Sequence, residues 1–155
     1  MQRWRLWIAE RAGADTGSAS LEFVTAGLIL LLPVVYLVLT MSAVQGAALA
    51  TEGAARQAVR VFVQADSTAR AQAEAQRAVD FALADYGLNG SDARVAIRCA
   101  PHPSDCLTRR GQVSVTVAVS VPLPLVPPAL TVQVPLEVPL EATASEQVSR
   151  FWGTR

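Results

Sequence analysis

The sequence predicts an α+β chain: a long N-terminal transmembrane helix, a second helix, and then a small antiparallel β-meander of about three strands. Three observations carry this expectation. From Phe23 to Val44 the chain holds no charged residue, and at about 1.5 Å per residue a helix of that length covers roughly 33 Å, enough for the hydrocarbon core of a bilayer. Between Ser67 and Gly87 the apolar residues recur at helical spacing. After Asn89-Gly90 the period changes to two, as a half-buried strand requires.

Taken in order, residues 1–17 form a short polar leader whose end, A-G-A-D-T-G, is poor in helix formers. From Ser18 the chain reads as helix through the apolar run and past it, because A-A-L-A-T-E-G-A-A-R-Q-A-V-R-V-F-V stays helix-compatible to about residue 64. Pro33 inside the run is expected to kink it. Asp66 or Ser67 is placed to cap a second helix, which Gly87 ends, with Val79, Leu83 and Tyr86 on one face. The expected organisation is therefore a leader over 1–17, a membrane and assembly helix over 18–64, and an exported α+β domain over 65–155.

Within that domain R-V-A-I-R-C makes a short first strand. Q-V-S-V-T-V-A-V-S-V sets Val113, Val115, Val117, Val119 and Val121 on one face and Ser114, Thr116, Ala118 and Ser120 on the other. The third strand is expected from Leu130 to Glu141, with Leu130, Val132, Val134, Leu136, Val138 and Leu140 opposed by Thr131, Gln133, Glu137 and Glu141. Pro135 and Pro139 stand an even number of residues apart, so their missing amides share a side, and that side is expected to be an unpaired sheet edge. Pro122, Pro124, Pro127 and Pro128 end the second strand and stiffen the turn that follows.

Composition sets bounds on function. With 155 residues, balanced formal charge and 52% hydrophobic content, the chain suits one small domain plus an apolar appendage. Its 13 basic residues are all arginines. Apart from Arg109-Arg110 they are dispersed among acids without an aromatic-interleaved stripe, which argues against nucleic acid as a partner. No Gly-rich phosphate loop is present, and one His with two Cys gives no zinc-ligand spacing. His102, Ser104 and Asp105 are too close in one loop to converge as base, nucleophile and orienting acid. The reading is non-enzymatic, with no cofactor, no metal and no catalytic residue. Cys99 and Cys106, even in number and closely spaced, suit a loop-closing disulfide in an oxidising compartment.

The information is densest at G-S-A-S-L-E-F, residues 17–23. A carboxylate at the mouth of a hydrocarbon-length segment is costly unless something compensates it. The pattern resembles the processing site of type IV prepilins, in which a membrane aspartyl protease cuts after the Gly and the Glu becomes the fifth residue of the mature chain. The leader, the G-x-x-x-x-E-F spacing and the long first helix are most similar to TadE-like minor pilins of the tight adherence (Flp) system. The resemblance implies cleavage between Gly17 and Ser18, Glu22 with Phe23 as assembly residues, and the prepilin peptidase, the other pilins of the apparatus and the lipid membrane as partners. Ser18 departs from the Phe that many major pilins carry at the first mature position. Residues 18–155 would make a subunit far longer than the very short major Flp pilins, which favours a minor or accessory role.

A physical logic runs beside the resemblance. Gly17 offers no side chain to obstruct a protease subsite and resists helix formation. Cleavage would create an ammonium at Ser18 with which Glu22 can pair, on its own or a neighbouring subunit, each neutralising the other. Small residues at Gly27, Ala43, Gly46, Ala47 and Gly53 suit close helix contact. Arg3, Arg5 and Arg11 against Glu10 and Asp15 favour a cytoplasmic N-terminus in the cytoplasmic membrane and an outside C-terminal domain, with the pilus or cell surface as a further destination; Arg56 and Arg60 oppose that bias. Two other readings stay open: an unprocessed single-pass anchor carrying a binding module, and a secreted protein cut at A-A-L-A near Ala50, although the apolar run exceeds a signal peptide's core.

Overall fold

A computed structural model describes residues 18–126 and 136–153. Its elements run α1 (Ser18–Gln64), α2 (Thr68–Ala84), a 3-10 turn (Gly90–Asp92), β1 (Arg94–Ala100), β2 (Gln112–Pro122) and β3 (Glu137–Gln147). The fold is α+β, with one apolar helix long enough to cross a membrane by length and composition. By packing the chain divides into two units, Met1–Leu39 and Thr40–Arg155, with the division inside α1.

The described part of the first unit is helical throughout, and Pro33 lies within the assigned helix. Every residue from Ala19 to Leu39 is exposed.

In the second unit the remainder of α1 buries a stripe of Ala47, Ala50, Thr51, Ala54, Ala55, Ala58, Val59, Phe62 and Val63. The steps of three and one are those of an amphipathic helix. The Thr51 hydroxyl, buried with the rest, donates to the Ala47 carbonyl at 2.7 Å, which satisfies it inside the core. Of the two possible caps for α2, Ser67 is the one used: extended, with its Oγ accepting from the Arg70 amide at 3.4 Å. The helix presents Ala71, Ala75, Val79 and Leu83 to the core at steps of four. Tyr86 departs from expectation, because it lies beyond the helix end and is exposed. Gly87, at φ 71°, supplies the left-handed residue that ends α2; its amide donates to Ala84 and that of Leu88 to Leu83, the paired pattern of a Schellman motif.

The sheet is an antiparallel meander in the order β1-β2-β3. In β2 the five valines from Val113 to Val121 are buried, and they join the helical stripes in one core. Within the described residues the third strand covers Glu137–Gln147, so it runs further than expected at its C-terminal end. Val138 and Leu140 are half-buried and Glu137 and Glu141 exposed, in the sense expected, while positions 130–135, Pro135 among them, lie outside the described residues. What extends the strand is pairing: Thr143 stands opposite Thr116 and Ser145 opposite Ser114, with hydroxyl contacts of 2.8 and 2.7 Å. Pro139 sits on β3, which is an edge strand among the described residues, where a missing amide is tolerated. After β3 the chain is tied back by Val148 N–H to the Gly111 carbonyl and by the Trp152 indole N–H to the Ala65 carbonyl at 3.0 Å.

Candidate functional site

Of the residues singled out by the sequence, Gly17 lies outside the described residues. Ser18 opens α1, and Glu22 stands one helical turn further on. Glu22 is exposed, and its neighbours Leu21 and Phe23 are 70% and 80% exposed. Beyond Phe23 the exposed surface is an apolar sleeve, including Ile29, Leu32, Leu37 and Met41. Glu22 is the only charged residue between Ser18 and Thr51. A contiguous apolar surface of this extent is unfavourable in water, and by length and composition the helix is compatible with crossing a membrane. The chemistry of the segment is therefore a single carboxylate at one end of a hydrophobic rod. Residues four apart lie on the same helix face, so Glu22 stands one turn after Ser18 on the same side of the helix.

The small residues of α1 divide between two uses. A Cβ at Gly27 or Gly53 would meet nothing within 4 Å, so both keep open surface. Gly46 lies against the Tyr86 ring, where an added Cβ would stand 3.7 Å from Cδ1, and Ala47 is buried in the domain core. These two serve the chain's own packing and are not free for a neighbouring helix.

Cys99 and Cys106 are joined by a disulfide, with Cα atoms 5.1 Å apart. The bridge ties the end of β1 to the loop that leads into β2. Inside that loop the Asp105 amide donates to the His102 carbonyl at 3.2 Å, a turn contact through backbone atoms. Among the described residues no group of three or more His, Cys, Asp or Glu is placed to hold a metal ion. Two open grooves mark the domain surface. One, of about 520 Å³, lies beside Pro101, Arg110 and Gln147; the other, of about 690 Å³, lies between Val63 and Trp152. The first is also lined by Ser145 and Glu146 and the second by Asp66 and Ser149, but the Ser145 hydroxyl is engaged with that of Ser114 at 2.7 Å and Asp66 faces Arg70 at 3.4 Å.

The C-terminal anchor at Trp152 was not foreseen in the sequence. Besides the indole bond to Ala65, its carbonyl accepts from Arg109 Nε at 2.9 Å. The available signal was the Phe151-Trp152 pair, since an indole needs both an apolar bed and an acceptor. No family model, curated protein or solved structure matches this chain.

Proposed function

We propose that the chain is a minor pilin-like structural subunit of a tight adherence (Flp) type IV pilus, processed after Gly17 by the prepilin peptidase and assembled through its first helix. The observation that carries the reading is the G-S-A-S-L-E-F pattern followed at once by an exposed, charge-free helix. The subunit is non-enzymatic. Before assembly α1 holds it in the cytoplasmic membrane with its domain outside, and the disulfide suits that oxidising side. On assembly the apolar sleeve exchanges lipid for the helices of other pilins, and Glu22 pairs with an N-terminal ammonium, its own or a neighbour's, in that low-dielectric setting.

Packing also bears on the secreted alternative. A cut near Ala50 would fall within α1, between residues that are 1% exposed, and would strip Ala47 and Ala50 from the core. The unprocessed anchor is the stronger competitor, and the mature N-terminus separates the two. Protein recovered from membranes that contain the peptidase is expected to begin at Ser18, by N-terminal sequencing or intact mass. In a strain lacking the peptidase, or in Gly17→Leu, it is expected to keep Met1. A wild-type chain that retains Met1 where the peptidase is active would remove the pilin assignment and leave the anchor.

A further inference from the structure

The face of the sheet turned away from the core is small and uncharged along its middle and oppositely charged at its two edges. Central strand β2 shows Ser114, Thr116 and Ala118 there, between its buried valines. The register then draws one line across the sheet: Arg94 of β1 opposite Ala118, and Ala118 opposite Glu141 of β3. Arg98, also exposed, lies on the same edge as Arg94, and Glu137 on the same edge as Glu141. None of these four side chains forms an ion pair among the described residues. The hydroxyls between them bond to one another in cross-strand pairs, so covering them strands fewer polar groups than covering a water-bound Ser/Thr surface.

We infer that this face docks a second copy of the chain, sheet against sheet, about a two-fold axis parallel to the strands. Such an axis lays β1 of one copy over β3 of the other and brings Arg94 over Glu141 twice, once on each side. A two-fold running across the strands would instead lay β1 on β1 and set arginine against arginine, so the charges select the first arrangement. On the selected axis Ala118 meets Ala118 of the second copy, while Ala96 of β1, level with Thr116 and Thr143, meets Thr143. Three strands about 4.8 Å apart, overlapping over the length of β1, give a footprint of roughly 14 by 24 Å. That is below the ~800 Å² per partner of a stable interface, so the contact is weak between dilute chains and forms where they are concentrated in one membrane. The inference needs chains that share a membrane and is independent of whether Gly17 is the processing residue.

Disulfide trapping of the full chain in lipid vesicles tests it. Under mild oxidation A118C is expected to give a self-linked dimer and A96C to give little, while A96C mixed with T143C links across copies. Adding R94E to A118C should lower the dimer yield by roughly fivefold, the effect of losing two exposed ion pairs, and R94E with E141R should restore it. Absence of an A118C dimer, equal self-linking of A96C, or indifference to R94E would each overturn the two-fold. N-terminal processing is read separately in the same preparations, so failure here leaves the subunit assignment standing on its own test.

Discussion

Two glycines show how one residue type carries opposite consequences. Gly90 is buried under α2, and a Cβ built on it would clash with Asp80 Oδ1 and stand 2.8 Å from the Asp80 Cα. The obstacle includes backbone, so Gly90→Ala must push the 3-10 turn off the helix. We expect a loss of about 1–3 kcal/mol, the usual range for overpacking. Gly53, by contrast, sits exposed inside α1 with nothing within 4 Å of its added Cβ. There Gly53→Ala removes only the backbone freedom of the unfolded chain and should stabilise by about 0.5–1 kcal/mol. Urea unfolding of both variants in one detergent reads the difference. A neutral or stabilising Gly90→Ala would contradict the packing of the turn on Asp80, and a destabilising Gly53→Ala the open surface at Gly53. The sequence showed Gly90 at a change of period and Gly53 as a small helix residue, but not their opposite environments, because that distinction depends on what folds against them.

At the scale of elements, strong periodicity was legible and small residues were not. Val113 to Val121 declare β2 because β-branched side chains alternate with polar ones, and all five valines are buried. The continuation of β3 into Ala142, Thr143, Ala144 and Ser145 carries no such signal. Alanine is a poor strand former, and those residues are held by their partners on β2. Similarly, the alanines of α1 showed a helix but not which of them would be core, since Ala47 and Ala54 are buried while Ala48 is only partly so. The candidate site followed the same rule: the Gly17 to Phe23 pattern is local and could be read, whereas the Trp152 anchor joins residues far apart in sequence. The disulfide is an element-scale constraint as well. Cys99 and Cys106 are separated by 7 positions, and a loop this short restrains the unfolded chain modestly. Replacing both by Ala is therefore expected to cost about 2 kcal/mol while leaving the meander intact, because its register depends on β2. Urea midpoints with and without the bridge check the cost. Intact mass before and after reduction of envelope-derived protein checks that the bridge forms, and two alkylatable thiols without reduction would count against it.

For the whole molecule, α1 serves as rod at one end and as core element at the other. Its first part presents an apolar surface with one carboxylate, and its last part is inseparable from the domain, since Phe62 is 0% exposed in the shared core. Processing and assembly should therefore be separable by mutation. In the proposed function cutting depends on the junction at Gly17, whereas the task of Glu22 begins only once an ammonium exists at Ser18 and the helix enters a bundle. Glu22→Ala leaves the domain untouched, because the side chain is exposed and no described residue of the core lies on that part of the helix. The variant is expected to fold, to insert in the membrane and to be trimmed to Ser18, yet to be depleted in the pilus or its base at least several-fold relative to wild type. The depletion follows from charge. In the membrane the new ammonium remains near headgroup water, but in the bundle it would be buried without its carboxylate, at a cost of several kcal/mol. Quantitative immunodetection in sheared pili against membrane fractions, beside N-terminal sequencing of the same samples, reads both steps at once. Wild-type incorporation of trimmed Glu22→Ala would show that the carboxylate has no part in assembly and would leave headgroup contact as the reason it is tolerated at the end of the apolar run.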